Sequence, residues 1–473
     1  MVFSSVIFLF LFLPVVLLIY YSTRKALRNS VLLFASLIFY AWGEPKFIII
    51  MLISLFINYI FGITVDYFQN KKLYQKLIIV ICIFFNIGIL VFFKYTNFMV
   101  DNFNFLSGLF GGDFLEIKKI ALPIGISFYT FHELSYVIDV YRKIAKVQKN
   151  FLNLALYILF FPQLIAGPII RYHDIADQLQ NRNVNIEDFA YGIRRFIIGL
   201  GKKVIIANTM GVVADSIFSI PATNLTFSLS WLGIITYALQ IYYDFSGYSD
   251  MAIGLARMFG FRFLENFNYP YISKSITEFW RRWHISLSSW FKDYLYIPLG
   301  GNKKGTFKTY RNLIIVFICT GIWHGASWNF LIWGIYYGIF LVLERMKLIN
   351  FGEKFDKSLG RVYTLLVVFV GWVFFRSDSL HYSIEFLKSM IGITHNVGLY
   401  NICLFLNAKF VLTFLLAIIG VMPLVNNIFL KMNIDKISIR NQFARDAYIT
   451  FTFLVAILYL SNSTYNPFIY FRF

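Results

Sequence analysis

Two histidines, His284 and His324, stand in one apolar stretch, residues 276–338. It reads ITEFWRRWHISLSSWFKDYLYIPLGG, then a basic link, then LIIVFICTGIWHGASWNFLIWGIYYG. Trp280, Trp283 and Trp290 surround the first histidine; Trp323, Trp328 and Trp333 surround the second. The chain holds only 9 Trp in 473 residues, so six in this window are a concentration. An ionisable side chain in an apolar segment is costly to bury and marks a functional site by default. A buried neutral imidazole can take a proton from a hydroxyl. It can equally serve as a structural hydrogen bonder. Metal binding has no support: there is no HExxH pattern and no close His/Asp/Glu spacing.

The surroundings are those of a membrane. The chain is 59% hydrophobic, 20% aromatic and only 14% charged, where globular chains carry roughly a quarter charged residues. This composition predicts an all-α polytopic membrane protein of one domain, residues 1–473, with the window 276–338 as its reactive part. The net charge of +19 reads as basic cytoplasmic loops and attraction to anionic lipid headgroups, not as nucleic-acid binding. Cys82, Cys319 and Cys403 lie in apolar surroundings and form no CxxC framework. Residues 2–20 lack a basic leader and a small-x-small cleavage site, so they are expected to stay as a first span.

The elements that must position the two histidines follow from charge and breaker residues. Arg24, Lys25 and Arg28, then Lys71, Lys72 and Lys76, mark cytoplasmic loops and place the N-terminus outside. Residues 31–42 and 47–65 form a hairpin around Gly43-Glu44-Pro45; 77–93 crosses outward, and 102–119 is a polar outer connection. Segments 121–141 and 151–170 are interrupted by Pro123, Gly125, Pro162, Gln163, Gly167 and Pro168. Such interruptions suit a cavity lining, because bare backbone cannot face lipid; a kinked packing helix is the alternative. Segment 231–254 carries Gln240, Asp244 and Asp250, and its carboxylates require partners or a water-filled edge. Later spans lie near 363–375, 410–430 and 447–460. The loop with Lys431, Lys436, Arg440 and Arg445 is cytoplasmic, which sends the last span and the C-terminus outward. At about 20 residues per crossing, roughly ten to twelve membrane segments are expected.

Arg281 and Arg282 hold the start of the central window near the inner surface. An amphipathic stretch with Lys292 and Asp293 follows and can lie in the interface plane. From Asn312, a helix rising about 1.5 Å per residue carries His324 on the order of 18 Å into a core about 30 Å thick. Gly321 and Gly325 flank it and leave room for a ligand against the backbone.

These residues carry a specific resemblance. FWRRWHISLSSWFKDYLYIPLGG followed by GIWHGASWNFLIWG resembles the membrane-bound O-acyltransferase superfamily, in its bacterial branch that acetylates cell-surface polysaccharides. LPIGISFYTFHELSYVIDVYR at 122–142, QLIAGPIIRY at 163–172 and QIYYDFSGYSDMAIGLARMFG at 240–260 are similar to the same branch, so the resemblance covers nearly the whole chain. One departure is His132, where the branch leads one to expect Gln. The resemblance implies a ring of helices, with re-entrant or interfacial pieces, around a tunnel through the membrane. It assigns the family's near-invariant histidine to His324 and its second polar position to His284. Arg281, Arg282, Trp283, Trp323 and Gly325 fall along the donor path. The donor is expected to be a cytoplasmic acyl thioester, most simply acetyl-CoA, used as a substrate; no tightly bound cofactor is expected. A thioester is activated by its thiolate leaving group, whose conjugate acid has a pKa near 8.5.

Residues 467–473, ending in Phe468-Ile-Tyr-Phe-Arg-Phe473, read as an aromatic belt at the outer interface. They also resemble the C-terminal tail of this branch, whose tyrosine is proposed to carry the acyl group; here that is Tyr470. The expected acceptor is an extracytoplasmic glycan, reached with the help of a separate extracytoplasmic acetyltransferase, and the expected location is the bacterial cytoplasmic membrane. D-alanyl transfer to teichoic acid is the alternative within the class. A non-catalytic transporter or flippase with a histidine proton relay is the alternative outside it.

Overall fold

The structure is a computed structural model of the chain and describes residues 1–349, 357–393, 400–423, 439–462 and 465. Tyr470 and the rest of 467–473, with Lys431 and Lys436, lie outside the described residues. Among the described residues every regular element is helical. Among the described residues, six helices are long and apolar enough to cross a membrane: Lys25–Gly43, Ile48–Tyr67, Lys72–Leu109, Ile186–Phe218, Ser358–Arg376 and Gln442–Asn462. Two shorter apolar helices, Phe8–Ser22 and Ala408–Gly420, add to these. Phe227–Met258, Thr306–His324 and Trp328–Arg345 are long enough to cross but carry more polar and aromatic side chains.

The described residues form two compact units, 1–192 with 252–264, and 193–251 with 265–473. In the first, the expected hairpin is present as Arg28–Gly43 and Ile48–Tyr67. The next helix, Lys72–Leu109, runs 38 residues without a break, about 57 Å at 1.5 Å per residue. It therefore runs on to Leu109, into the stretch 102–119 expected to be an outer connection. Both interrupted segments break where the sequence indicates. Gly125, at φ +79°, occupies the left-handed region that glycine alone adopts without strain, and Ile126–Tyr141 starts after it. The second segment divides into Phe151–Leu159 and Phe161–Leu164.

A seam of polar side chains crosses this unit's core. The Ser54 hydroxyl donates to Glu133 Oε2 at 2.8 Å. The Asn58 and Asn86 carboxamides exchange hydrogen bonds of 3.0 Å and 2.8 Å. His132 is fully buried against the Tyr157 ring at 5.7 Å, and neither ring nitrogen finds a hydrogen-bond partner among the described residues.

In the second unit, the chain from Ile193 to Gly201 passes through a π-helical stretch, Lys202–Ala207, into Asn208–Phe218. This path packs along residues 233–251 of the helix Phe227–Met258. At Gly199 a Cβ would stand 2.5 Å from the Gly247 carbonyl, so a side chain would force the two backbones apart. Here the two acids of segment 231–254 find the partners their burial demands. Lys203 Nζ lies 2.6 Å from Asp244, both side chains almost wholly buried. Asp250 receives Lys202 Nζ at 2.6 Å on one oxygen and Arg195 at 2.6 Å on the other, and Arg195 also reaches Glu265.

Removing one partner of a buried pair leaves an uncompensated charge, at a cost of about 3–5 kcal/mol. Lys203→Met should therefore lower unfolding stability in detergent by that order. Lys203→Met combined with Asp244→Leu should regain most of it. A single variant within about 1 kcal/mol of wild type would show that the pair does not hold the two helices.

Candidate active site

The segment carrying His284 is short, and its ends are fixed by hydrogen bonds rather than by length. Helix Ile276–Arg282 opens with Ser275, whose hydroxyl accepts from Glu278 N at 3.0 Å, while Glu278 accepts from Lys274 N at 2.9 Å. This is a capping box displaced by one residue, because Glu278 takes the N–H of Lys274 in place of that of the N-cap Ser275. The Glu344 carboxylate adds to it, accepting from Ile276 N at 2.6 Å and from Thr277 N at 2.9 Å. A negative charge there also meets the positive end of the helix dipole. The helix stops at Trp283, and His284 takes φ 43°, ψ 55° before Ile285–Phe291 begins. A non-glycine residue in the left-handed region costs on the order of 1 kcal/mol or more, so the surroundings must impose it.

They do so through residues 266–268, which lie alongside. Ile285 N donates to the Asn266 carbonyl at 2.9 Å, and Asn268 N donates to the Arg282 carbonyl at 2.9 Å. The Asn266 side chain then fixes the imidazole. Its Oδ1 accepts from Ser286 N at 3.1 Å and from the Ser286 hydroxyl at 2.9 Å, and stands 3.2 Å from His284 Nδ1. Its Nδ2 donates to the Ser249 hydroxyl at 3.0 Å. With the carboxamide oriented by these donors, Oδ1 can only accept, so His284 Nδ1 carries the proton and the lone pair sits on Nε2. That nitrogen is buried. The Phe245 ring meets the imidazole edge-on at 4.5 Å.

His324 is the last residue of helix Thr306–His324, and its ring sits in a box of aromatics. Trp323, Trp333 and Phe375 each lie 5.0 Å from it, near-perpendicular. Phe330 stacks at 6.4 Å. The two histidines belong to one cluster, because Trp323 touches both: its ring lies 6.3 Å from His284 and 5.0 Å from His324. Those two distances add to 11.3 Å, the upper limit on the imidazole separation. Trp280 packs on Trp333 and Tyr337, and Trp283 on Trp372 and Phe279.

The space beside the two glycines is used differently from the expectation. A Cβ at Gly325 would run into the Phe330 ring, and one at Gly321 into the Phe330 carbonyl, with Gly334 Cα at 3.2 Å. The glycines thus serve the close crossing of Thr306–His324 with Trp328–Arg345, not a ligand against the backbone. The two arginines also part company. Arg282 is engaged, by Glu278 at 2.9 Å and the Asn268 carbonyl at 3.1 Å. Arg281 is exposed and makes no ion pair among the described residues. Asn266, Ser286, Ser249 and Phe375 were not legible as site residues, because none falls at a recognisable spacing from either histidine. No group of His, Cys, Asp and Glu among the described residues could hold a metal ion.

Asn266→Ala would leave Ser286 N, its hydroxyl and His284 Nδ1–H without their shared acceptor. Each unsatisfied buried group costs about 1–3 kcal/mol. The variant should unfold about 3 kcal/mol or more below wild type; a loss under about 1 kcal/mol would mean that the carboxamide does not hold the loop.

Residues 126–383 match the membrane-bound O-acyltransferase family, and the match spans both histidines. Over its full length the chain is 42% identical to the probable alginate O-acetylase AlgI of Pseudomonas putida, covering 100% of each. It is 37% identical to the peptidoglycan O-acetyltransferase of Helicobacter pylori, over 83% of this chain and 80% of that protein. The teichoic acid D-alanyltransferase of Bacillus subtilis is 32% identical over 50% of this chain and 60% of its own length. With the aromatic pocket around two buried imidazoles and these matches, the chain belongs to the membrane-bound O-acyltransferase family and is a multi-pass membrane acyltransferase.

Proposed function

We propose that this enzyme takes an acetyl group from a cytoplasmic thioester, acetyl-CoA in the simplest case, and delivers it across the bacterial cytoplasmic membrane for O-acetylation of an extracytoplasmic polysaccharide. The observation that carries this reading is the shared packing of His284 and His324 on Trp323, deep in apolar surroundings. Relatives named as polysaccharide and peptidoglycan acetylating proteins support the acetyl group and the glycan, since they match over 80% or more of this chain. The D-alanyltransferase relative matches over about half.

In this reading His324 is the base that accepts the acceptor hydroxyl's proton. His284, its proton held on Nδ1 by Asn266, assists at the thioester. Arg281, exposed at the start of the window, meets the donor's phosphates, while Arg282 holds the turn. Aromatic walls exclude water from an activated carbonyl. Tyr470 is the first acceptor: its oxygen bonds to the acetyl carbon, the C–S bond breaks, and the donor leaves as a thiol with the proton relayed through histidine. The aryl ester so formed is less activated than a thioester but more than an alkyl ester, because phenol has a pKa near 10. Transfer onward to a sugar hydroxyl is then downhill, completed by a separate extracytoplasmic acetyltransferase. Charge asymmetry of the loops puts both termini on the outer side, where this tail is needed.

His324→Ala should abolish acetylation of the surface glycan in cells at equal protein level; near-normal acetylation would refute its role. His284→Ala should cut turnover by roughly a hundredfold, the scale of a general acid or base, and a loss below about threefold would return it to a structural part. Tyr470→Phe keeps the ring and removes the oxygen. As a carrier it should be as inactive as Tyr470→Ala, whereas an active Phe variant would leave direct transfer at His324.

A further inference from the structure

One side-chain cluster of the second unit lies outside the histidine pocket yet is joined to it. Asp215, on helix Asn208–Phe218, divides its carboxylate between two elements. Oδ1 lies 2.7 Å from Arg376 Nη2, and Oδ2 accepts from the Tyr465 hydroxyl at 2.7 Å. Arg376 ends helix Lys357–Arg376, and its guanidinium stacks on the Phe218 and Tyr237 rings at 5.2 Å and 5.9 Å. Asn208 Nδ2 adds a bond to the Tyr465 carbonyl at 3.3 Å. Room for the tyrosine comes from Gly211, where a Cβ would stand 2.9 Å from the Tyr465 hydroxyl and 2.6 Å from Gln240 Nε2. Tyr465 thus has a seat with a charged acceptor, a backbone contact and a reserved space. Arg376 follows directly on Phe375, whose ring lies 5.0 Å from His324.

We propose that Arg376, Asp215 and Tyr465 form a latch that fixes the chain after the last helix beside the His324 pocket, with Asp215 as the positioning residue for the segment that carries Tyr470. This rests on the reading of Tyr470 as first acceptor. The reason is reach. Tyr470 lies five residues beyond Tyr465, about 17 Å of extended chain at 3.3 Å per residue. Without the latch the next fixed point is the end of helix Ile439–Asn462, eight residues away, or about 26 Å. The volume open to the tyrosine grows about fourfold, and its effective concentration at the pocket falls accordingly. The carboxylate suits the task because a hydrogen bond to a charged acceptor is stronger than a neutral one, and Arg376, at 2.7 Å from its other oxygen, holds it in place.

The test uses purified full-length protein in lipid nanodiscs, with acetyl label from acetyl-CoA followed onto the chain. Asp215→Ala and Tyr465→Phe should slow labelling about twofold to fourfold at saturating donor, with KM for acetyl-CoA unchanged. Asp215→Asn, which still accepts from the tyrosine hydroxyl, should label faster than Asp215→Ala. In parallel, carboxypeptidase should trim the C-terminal end of Asp215→Ala and Tyr465→Phe about tenfold faster than wild type, the scale of one lost charged hydrogen bond. Tyr465→Phe removes one oxygen only and carries the test if Asp215→Ala misfolds. Unchanged trimming overturns the latch. Faster trimming with unchanged labelling overturns the positioning role. Failure of the carrier reading is seen separately: Tyr470→Phe would then still support glycan acetylation in cells, and the trimming rates would still report whether the latch exists.

Discussion

A buried imidazole can serve acyl transfer in one defined way only if its proton is confined to one nitrogen, and in apolar surroundings that requires a partner that cannot itself turn. Asn266 is that partner. Its carboxamide is held by Ser249 on one side and by Ser286 on the other, so the tautomer of His284 follows from the backbone path. The strained conformation at His284 is the local cost of this arrangement. Glu344, which anchors the start of the preceding helix from the far end of Trp328–Arg345, completes the frame. The same two helices that cross through Gly321 and Gly334 therefore hold both histidines, one at a helix end and one through a carboxylate.

The same constraint recurs at other buried polar groups of the chain. Where water is absent, each polar group needs a fixed partner. Asp244 and Asp250 are served by Lys203, Lys202 and Arg195. Asn58 and Asn86 serve each other. Around His324 an aromatic wall of Trp323, Phe330, Trp333 and Phe375 gives the site bulk and dryness. This division suits acyl transfer, where a reactive carbonyl must meet one base and no water.

Much of this was legible in the sequence. The helical class, the hairpin at Gly43, the breaks at Gly125 and before Pro162, and the grouping of His284 with His324 follow from composition, breaker residues and the placing of tryptophans. The need for partners at Asp244 and Asp250 was legible, but the partners were not, because Lys202 and Lys203 lie over forty residues earlier and only a helix-to-helix contact joins them. Asn266 was hidden for the same reason: it works through a loop lying beside the His284 turn. The glycines around His324 were noticed but misjudged, since nothing in their spacing distinguishes room for a ligand from room for Phe330. The long helix Lys72–Leu109 outran its apolar stretch because Asn97, Asn102 and Asn104 hydrogen-bond locally, two of them to the connection that follows.

The central claim is that His284 and His324, packed on one tryptophan, form the acyl-transfer centre. Its most direct measurement is an experimental structure of the full chain in lipid with a non-hydrolysable acetyl-CoA analogue. The account predicts the carbonyl beside Trp323, within about 3 Å of an imidazole nitrogen, and the nucleotide phosphates toward Arg281. An analogue whose acyl end lies away from both imidazoles, or sits in the unit formed by residues 1–192 and 252–264, would contradict it.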